Sequence, residues 1–337
     1  MSQSSNDTFP TALHIAAAMS IEDNLFPAMD KLTETLKRLE SENEDVVKSG
    51  RTHLQDAVPI RFSQEISGWR NMLEKTKKML EASLPGLKEL ALGGTAVGTG
   101  LNAPKNFGPE VAKVISELTG KEFVTAENKF HALTAKDDIT FAHGALKALA
   151  ADLMKIANDV RWLASGPRCG LGEISIPENE PGSSIMPGKV NPVIPEVVNQ
   201  VAFNAIGNDM TITMAAEAGQ LELNAFEPII FYCLFQSIDT IAYAVNTFVD
   251  NCVIGITANE TRCRYFVENS VGIITAICPY VGYQKAAEIA KEAIKTGESV
   301  RKLIIEKGLL TKEQMDEIMD PVQMTEPGIS GKTVNKI

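Results

Sequence analysis

Hydrophobic residues between positions 141 and 163 recur at helical spacing. Successive apolar side chains are separated by alternating steps of three and four residues, at Leu146, Leu149, Leu153, Ile156, Val160 and Leu163. Because these steps average about 3.5 residues, the apolar stripe stays on one face and suits long helices that cross at a shallow angle. The pattern therefore predicts one seam of a helix bundle.

Similar periodic stretches run through most of the chain and predict an all-α fold built as a bundle of long helices. They lie at residues 24–49, 63–92, 195–214 and 228–248, and strand patterns are almost absent. From about Asn259 the predicted helices become shorter, which indicates a small C-terminal helical domain. We therefore expect a central helical-bundle domain over residues 1–258 and a small helical domain over residues 259–337.

The predicted helices are separated by segments rich in glycine, proline and asparagine, and functional side chains are expected there. These segments are residues 50–59, 93–104, 166–192 and 219–228. The longest of them is 166–192. A connection of that length within a helical domain is typical of a binding loop or a lid.

The charge balance restricts the partners of the protein. The formal net charge is −11 and the pI is near 5.0. Nucleic acid is not expected as a partner, because binding it requires a basic surface that neutralises phosphates. No apolar run reaches the roughly 20 residues that span a bilayer, and the first residues do not resemble a signal peptide, so we expect no membrane partner and a cytoplasmic location. An anionic substrate would have to be held by local donors.

Residues 182–192 read Gly-Ser-Ser-Ile-Met-Pro-Gly-Lys-Val-Asn-Pro and place two hydroxyls, a lysine and an amide between glycines. Glycines let a backbone approach a ligand, Lys189 supplies positive charge, and Asn191 supplies directional donors. Successive backbone N–H groups in such a loop can also stabilise an oxyanion. On composition alone, an anion-binding loop and a polar surface loop are equally compatible with this stretch.

The same stretch resembles the G-S-x-x-M-x-x-K-x-N signature of the fumarase/aspartase superfamily and matches it at every fixed position. Resemblance extends through residues 2–7, 50–56 and 93–102 and covers essentially the whole chain. It implies an all-α fold in which four subunits share a central bundle and each active site combines loops of three subunits. We thus expect a homotetramer that binds a small dicarboxylate. Family members begin with a further domain that nothing here matches, so an N-terminal domain is expected to be missing.

The family reaction removes a proton from the carbon beside a carboxylate and expels a leaving group from the next carbon, giving fumarate. Its intermediate is a doubly charged aci-carboxylate, which fixed donors must stabilise. By resemblance, Ser183 is the general base, with its oxyanion held by backbone N–H groups and by Lys189. No metal site and no cofactor are expected, because the remaining histidines lack ligand spacing, while activation by Mg²⁺ stays open.

The resemblance also assigns the remaining site residues by their match to the family motifs. Contacts to the substrate carboxylates are expected from Ser4, Ser5, Thr52, Lys189 and Asn191. Asn6 and His53 are expected to face the leaving group, and Glu196 is expected to pair with His53 and set its charge. Without the family, a lone histidine after a threonine in a polar loop indicates a solvated or structural residue.

The two halves of the chain resemble different branches of the superfamily. Segments 4–10, 128–133 and 177–181 look like class II fumarase, whereas segments 193–200, 215–224, 255–259 and 270–275 are similar to aspartases. Because the departures from fumarase run to the C-terminus, we expect an aspartate ammonia-lyase, a carbon–nitrogen lyase that converts L-aspartate to fumarate. The alternatives are class II fumarate hydratase, a carbon–oxygen lyase acting on L-malate, and a non-enzymatic structural bundle, against which the presence of Ser183 argues.

Overall fold

The computed structural model describes residues 2–331 and residue 334, and helices dominate this part of the chain. In chain order the elements are α1 (Ser5–Ser20), α2 (Phe26–Glu42), β1 (Val47–Thr52), β2 (Gln55–Arg61), α3 (Phe62–Leu87), β3 (Glu89–Leu90), α4 (Phe107–Thr119), β4 (Val124–Thr125), α5 (Lys129–Thr134), α6 (Asp137–Leu163), β5 (Ile174–Ser175), α7 (Val193–Glu217), α8 (Glu227–Asn251), β6 (Thr257–Ala258), α9 (Glu260–Asn269), α10 (Cys278–Val281), α11 (Tyr283–Thr296), α12 (Val300–Glu306) and α13 (Lys312–Ile318). A π-helical turn, Ile21–Leu25, joins α1 to α2. The predicted all-α class is confirmed.

The long helices occupy the stretches whose hydrophobic period predicted them. Helices α3, α6, α7 and α8 contain 26, 27, 25 and 25 residues. The six apolar side chains of the predicted stripe on α6 are at most 4% exposed. Each large apolar side chain that is buried in this way contributes roughly 1.5–3 kcal/mol. The predicted burial of this stripe is therefore confirmed.

The sequence did not predict the hairpin formed by β1 and β2. The first long helical stretch was expected to continue to residue 49, but α2 ends at Glu42, and the Asn43 side chain donates to the Leu39 carbonyl at 2.7 Å. The chain then enters β1, which pairs antiparallel with β2 and shows a register irregularity between Ser49 and Arg51. An asparagine that satisfies a terminal carbonyl stops a helix, because it replaces the backbone bond that the next turn would make.

The described residues group into two compact units, each built from separate stretches of the chain. The first unit contains residues up to 35 together with 69–159 and 178–254, and the second contains residues 36–68, 160–177 and those from 255 onward. The second unit has its own apolar core, in which four side chains are fully buried: Ile277, Ile304, Met315 and Ile318. The predicted boundary between residues 258 and 259 stays a prediction.

One helix corrects the expectation that no apolar stretch is long enough to span a membrane. Residues 227–255 are long and apolar enough by length and composition, with a mean hydropathy of 1.4. A buried core helix meets the same criteria, and 56% of the apolar window is buried within the structure. Ile230, Leu234 and Ile238 on α8 are fully buried. The finding is therefore weak evidence for a membrane span.

Candidate active site

Three hydrogen bonds close the signature loop between β5 and α7. The Ser183 N–H donates to the Lys189 carbonyl at 2.8 Å, and the Lys189 N–H donates to the Met186 carbonyl at 3.1 Å. The Glu180 carboxylate accepts the Asn191 N–H at 3.0 Å. Gly182 has a φ of +91°, and an added Cβ would lie 3.1 Å from the Lys189 carbonyl oxygen. Only glycine meets both conditions without strain, so the loop requires it there.

The Ser183 hydroxyl lies within reach of two backbone donors from its own loop. Its Oγ accepts the N–H of Ile185 at 3.4 Å and the N–H of Met186 at 3.3 Å. Hydrogen bonds to the charged form of a group favour that form, and successive N–H groups make an anion-binding concavity. Ser183 itself is half-buried, whereas Ile185 and Met186 are exposed, so water reaches these two donors. Two backbone donors at this oxygen are compatible with the expected role of Ser183 as a base, and that role stays a prediction.

The other predicted residues of this segment follow Ser183 directly. The Lys189 side chain is exposed, whereas Asn191 and Glu196 are half-buried. Glu196 belongs to the first turn of α7, where its N–H donates to the Pro192 carbonyl at 3.3 Å. A carboxylate in the first turn is favoured by the helix dipole. The structure thus places Ser183, Lys189, Asn191 and Glu196 in one continuous loop and helix start.

Ser4, Ser5 and Asn6 form the beginning of α1 in the first unit. Ser4 is the N-cap residue, and its Oγ accepts the Asn6 N–H at 3.1 Å. Ser5 is the first helical residue, and the Asn6 Nδ2 donates to the carbonyl of Ala96 at 2.8 Å. Helix N-termini favour anions, because their first N–H groups lack intrahelical partners. The arrangement is compatible with the predicted contacts to substrate carboxylates.

Thr52 and His53 lie at the tip of the β1–β2 hairpin in the second unit. His53 and Leu54 are the two turn residues, with φ values of 54° and 60°, and the tip is exposed. Two consecutive positive φ values are characteristic of the type I′ turn, whose twist matches that of paired strands. These two predicted site residues thus belong to a different unit from the other seven, and the pairing of His53 with Glu196 stays a prediction.

A buried cluster of charges anchors the base of this hairpin, and the sequence analysis did not identify it. Glu173 is fully buried, and its Oε2 lies 2.9 Å from Arg51 Nη1 and 3.5 Å from Lys48 Nζ. Lys48 also lies 3.1 Å from Glu65. Breaking a buried ion pair leaves an uncompensated charge and is strongly destabilising. The cluster therefore fixes the strand that carries Thr52. The sequence did not indicate this cluster, because Glu173 stands alone in a loop, far in sequence from Lys48 and Arg51.

The sequence analysis also did not single out Lys129, a partly buried lysine in α5. Its Nζ donates to the Leu90 carbonyl at 2.6 Å and to Thr125 Oγ1 at 2.5 Å. Burial lowers the pKa of Lys129 to about 8, against the opposing effect of the nearby carboxylates of Asp7 and Glu89. Lys129 thus compensates negative charge beneath the loop of residues 93–102.

Comparison with known proteins identifies the family. Residues 1–207 match the family described as Lyase, and residues 273–326 match the family described as Fumarase C C-terminus. The class II fumarate hydratase of Bacillus cereus is 56% identical over 327 residues, which cover 97% of this chain and 71% of that protein. The Bacillus subtilis class II fumarate hydratase is 53% identical over 326 residues, with the same coverage. The crystal structure of class II fumarase from Schistosoma mansoni superposes with a TM-score of 0.94 at 38% identity and covers 97% of this chain and 71% of its own.

These relatives show that the expected assignment as an aspartate ammonia-lyase, a carbon–nitrogen lyase, is wrong. Their identity extends over 97% of the chain and so includes the second half, on which the aspartase expectation was based. Some residues in the segments that suggested aspartase serve packing: Asn224 is 1% exposed and donates to the Ala215 carbonyl, and Ile273 belongs to the second unit's core. Residues at such positions are determined by helix packing and do not distinguish ammonia from water as the leaving group. The chain belongs to the fumarase/aspartase superfamily of lyases.

Proposed function

We propose that this lyase is a class II fumarate hydratase, a carbon–oxygen lyase that interconverts L-malate with fumarate and water. The observation that carries the proposal is the 56% identity to a class II fumarate hydratase over 97% of the chain. The geometry around Ser183 supports it, because two N–H donors face the oxygen that would act as the base. The substrate would be a small dicarboxylate.

In the proposed reaction Ser183 takes the proton from the carbon beside one carboxylate of L-malate. Lys189 and Asn191, together with Ser4 and Ser5, would hold the carboxylates and stabilise the aci-carboxylate that forms. The bond from the next carbon to its hydroxyl oxygen then breaks. His53 would deliver the proton that turns the departing hydroxide into water. L-Malate thus loses one proton and one hydroxide, and the hydroxide leaves as water. The enzyme is reset when Ser183 releases its proton to solvent and His53 takes one up.

We also propose that the enzyme is a homotetramer whose active sites combine loops from different subunits. Support comes from three of the large apolar side chains that α7 exposes, which lie at spacings of seven and four residues: Phe203, Met210 and Met214. These spacings place the three side chains on one helix face. Large apolar surface of this kind marks interaction sites in soluble proteins.

The test of the proposed reaction compares L-malate with L-aspartate by the absorbance of the fumarate formed. We expect kcat/KM to be at least about 10²-fold higher for L-malate, because a site that pairs a hydroxyl leaves polar groups unpaired around an ammonium. D-Malate is the matched control, since it has the same charge and composition with the hydroxyl on the opposite face. A higher kcat/KM for L-aspartate, or equal rates with both malate enantiomers, would contradict the proposal.

A further inference from the structure

We propose that Asp7 is a positioning residue that locks the start of α1 to the loop of residues 93–102; its effect on catalysis rests on the proposed function. Asp7 follows Ser4, Ser5 and Asn6 directly, but its side chain is fully buried and is not among the predicted substrate contacts. Its role is to hold residues that face the substrate.

Both carboxylate oxygens of Asp7 accept backbone donors. Oδ1 accepts the N–H of Ser4 at 3.0 Å, and Oδ2 accepts the N–H groups of Gly93 at 3.1 Å and Thr95 at 2.8 Å. The first bond completes a capping box at the start of α1. The other two cross 86 and 88 residues of sequence to a different motif. One side chain therefore joins two motifs through their main chains.

The loop of residues 93–102 is shaped to receive this carboxylate. Gly93 and Thr95 have φ values of +101° and +56°, and an unusual backbone of this kind can direct N–H groups towards one anion. At Gly93 an added Cβ would lie 3.1 Å from the backbone of Gly108, so the loop is packed closely there. The anion held at this point of the loop is thus the protein's own aspartate.

Two further bonds attach the same stretch of chain to the same loop. The Asn6 Nδ2 donates to the Ala96 carbonyl at 2.8 Å, and the Ser2 Oγ donates to the Asn102 carbonyl at 2.9 Å. Both hydrogen bonds are exposed, so water can replace them, whereas Asp7 is fully buried. A bond to a buried charge is harder to replace, because losing it leaves an unpaired group. Asp7 therefore makes the main connection between the start of α1 and the loop of residues 93–102.

The charge of Asp7 is balanced locally. A buried carboxylate is tolerated only when hydrogen bonds and opposite charge compensate it. Three N–H donors supply the first, and Lys129, on which the charge of Asp7 acts, supplies the second. Lys129 itself donates to the carbonyl of Leu90, three residues before Gly93. Residues of the first unit thus stabilise the buried charge of Asp7.

Loss of the hydrogen bonds that Asp7 accepts should displace the groups that are proposed to bind the substrate. The Ser4 Oγ and carbonyl accept bonds from Asn6 and Thr8, so a shift of Ser4 moves the first turn of α1 with it. Misplacement of positioning groups by about 1 Å can lower a rate about 10²-fold. Because Ser4 and Ser5 would already hold the carboxylates in the bound substrate, before the aci-carboxylate forms, their displacement should weaken substrate binding and raise KM.

The experiment compares Asp7→Asn, Asp7→Glu and Asp209→Asn in the complete protein. Asp7→Asn keeps the shape but turns an NH₂ group towards a backbone N–H. Asp7→Glu retains the residue type that capping boxes prefer at this position, but the longer side chain does not fit the fully buried site. Asp209→Asn is the matched control, since Asp209 is also buried and bonds His143 and Lys147 in the same unit.

We expect both Asp7 variants to raise KM for L-malate at least about tenfold with a smaller change in kcat, and Asp209→Asn to leave KM unchanged. A purely structural role would reduce the amount of active enzyme and lower apparent kcat alone. A wild-type KM in Asp7→Glu would assign Asp7 to helix capping and overturn the inference, as would a wild-type KM in Asp7→Asn.

Deuterium uptake over residues 93–102 gives a readout that does not depend on activity. Uptake should be faster in Asp7→Asn than in the wild type and unchanged in Asp209→Asn. Equal uptake in Asp7→Asn and wild type would overturn the inference. If the wild type does not convert L-malate, the proposed function fails, and the uptake comparison still decides whether Asp7 holds the loop.

Discussion

Ser183 and Asp7 are both surrounded by backbone N–H donors, but the two arrangements differ in tightness. The donors to Asp7 lie at 2.8–3.1 Å around a fully buried carboxylate, whereas those to Ser183 lie at 3.3 and 3.4 Å on an exposed stretch of the loop. Hydrogen bonds of catalytic groups are often long in the absence of substrate and tighten in the reacting complex. The difference is consistent with a fixed role for Asp7 and an adjustable one for Ser183.

At the residue scale we expect Ser183→Ala to remove turnover while leaving the fold intact. Removal of a general base should lower kcat by at least the roughly 10²–10⁴-fold typical of proton transfer. The hydroxyl lies on a loop, so its loss should change the free energy of unfolding by little. The measurements are the rate of fumarate formation from L-malate and the midpoint of thermal unfolding.

Ser184→Ala is the matched control for this variant. Ser184 is the exposed neighbour of Ser183, and its position in the signature is not fixed. The same hydroxyl is removed from the same loop, and activity should remain close to the wild type. A Ser183→Ala enzyme that turns over at the wild-type rate would remove Ser183 from the mechanism.

At the scale of elements, the β1–β2 hairpin presents Thr52 and His53 on a two-residue turn. Gly50 lies where the register of the pair is irregular, and a Cβ added there would lie 2.6 Å from the carbonyl oxygen of Val58. Real Cβ atoms do not approach a backbone oxygen that closely, so any side chain must push the strands apart. The geometry of the hairpin therefore depends on this glycine.

We expect Gly50→Ala to lower kcat/KM for L-malate at least about tenfold and to destabilise the fold by about 1–3 kcal/mol, as overpacking does. The cause is displacement of the strand that carries Thr52. Gly68→Ala, in α3, is the control, because an added Cβ meets nothing within 4 Å. It should retain activity and raise stability by roughly 0.5–1 kcal/mol, since alanine is the better helix former. Wild-type kinetics in Gly50→Ala would refute this dependence.

The elements differ in how far the sequence predicts them. Helices α3, α6, α7 and α8 could be predicted because each buries a periodic stripe over many turns. The β1–β2 hairpin could not, because its turn residues are His53 and Leu54 rather than the Asn-Gly or Asp-Gly that signals a type I′ turn. The register of its two strands is also irregular between Ser49 and Arg51, so they show no clean alternation of apolar and polar residues.

The site shows the same limit. The signature loop could be located because its glycines, lysine and asparagine lie close together in sequence, and the family resemblance added the roles. The connection that Asp7 makes to the loop of residues 93–102 could not be predicted, because an acidic residue three positions after an N-cap indicates an ordinary capping box. Its other partners, Gly93 and Thr95, lie more than 80 residues away. The leaving group could not be predicted because the residues expected to contact it occur in both branches of the superfamily.

At the scale of the whole molecule, the surface of α7 is the feature that a single chain leaves unexplained. Phe203, Met210 and Met214 are 59%, 64% and 63% exposed, although α7 also carries side chains that are fully buried, such as Ala205 and Ile212. Apolar residues thus cover more of this helix than its own unit buries. Large exposed apolar faces mark interaction sites, so we expect this face to pack against another subunit.

We therefore expect Phe203→Asp to dissociate the proposed tetramer. A charge at a packed apolar interface is unpaired and desolvated, so association should lose several kcal/mol, whereas the isolated chain would accept the change at an exposed position. The molar mass by light scattering at micromolar concentration should fall below that of four chains. Turnover should fall with it, because each proposed active site combines loops from different subunits.

Leu118→Asp, at an 81% exposed position on α4, introduces the same charge on another surface and should preserve both mass and turnover. A wild-type protein that is a monodisperse monomer would contradict the proposed assembly, and a Phe203→Asp variant with the mass of four chains would exclude this face from the subunit interface.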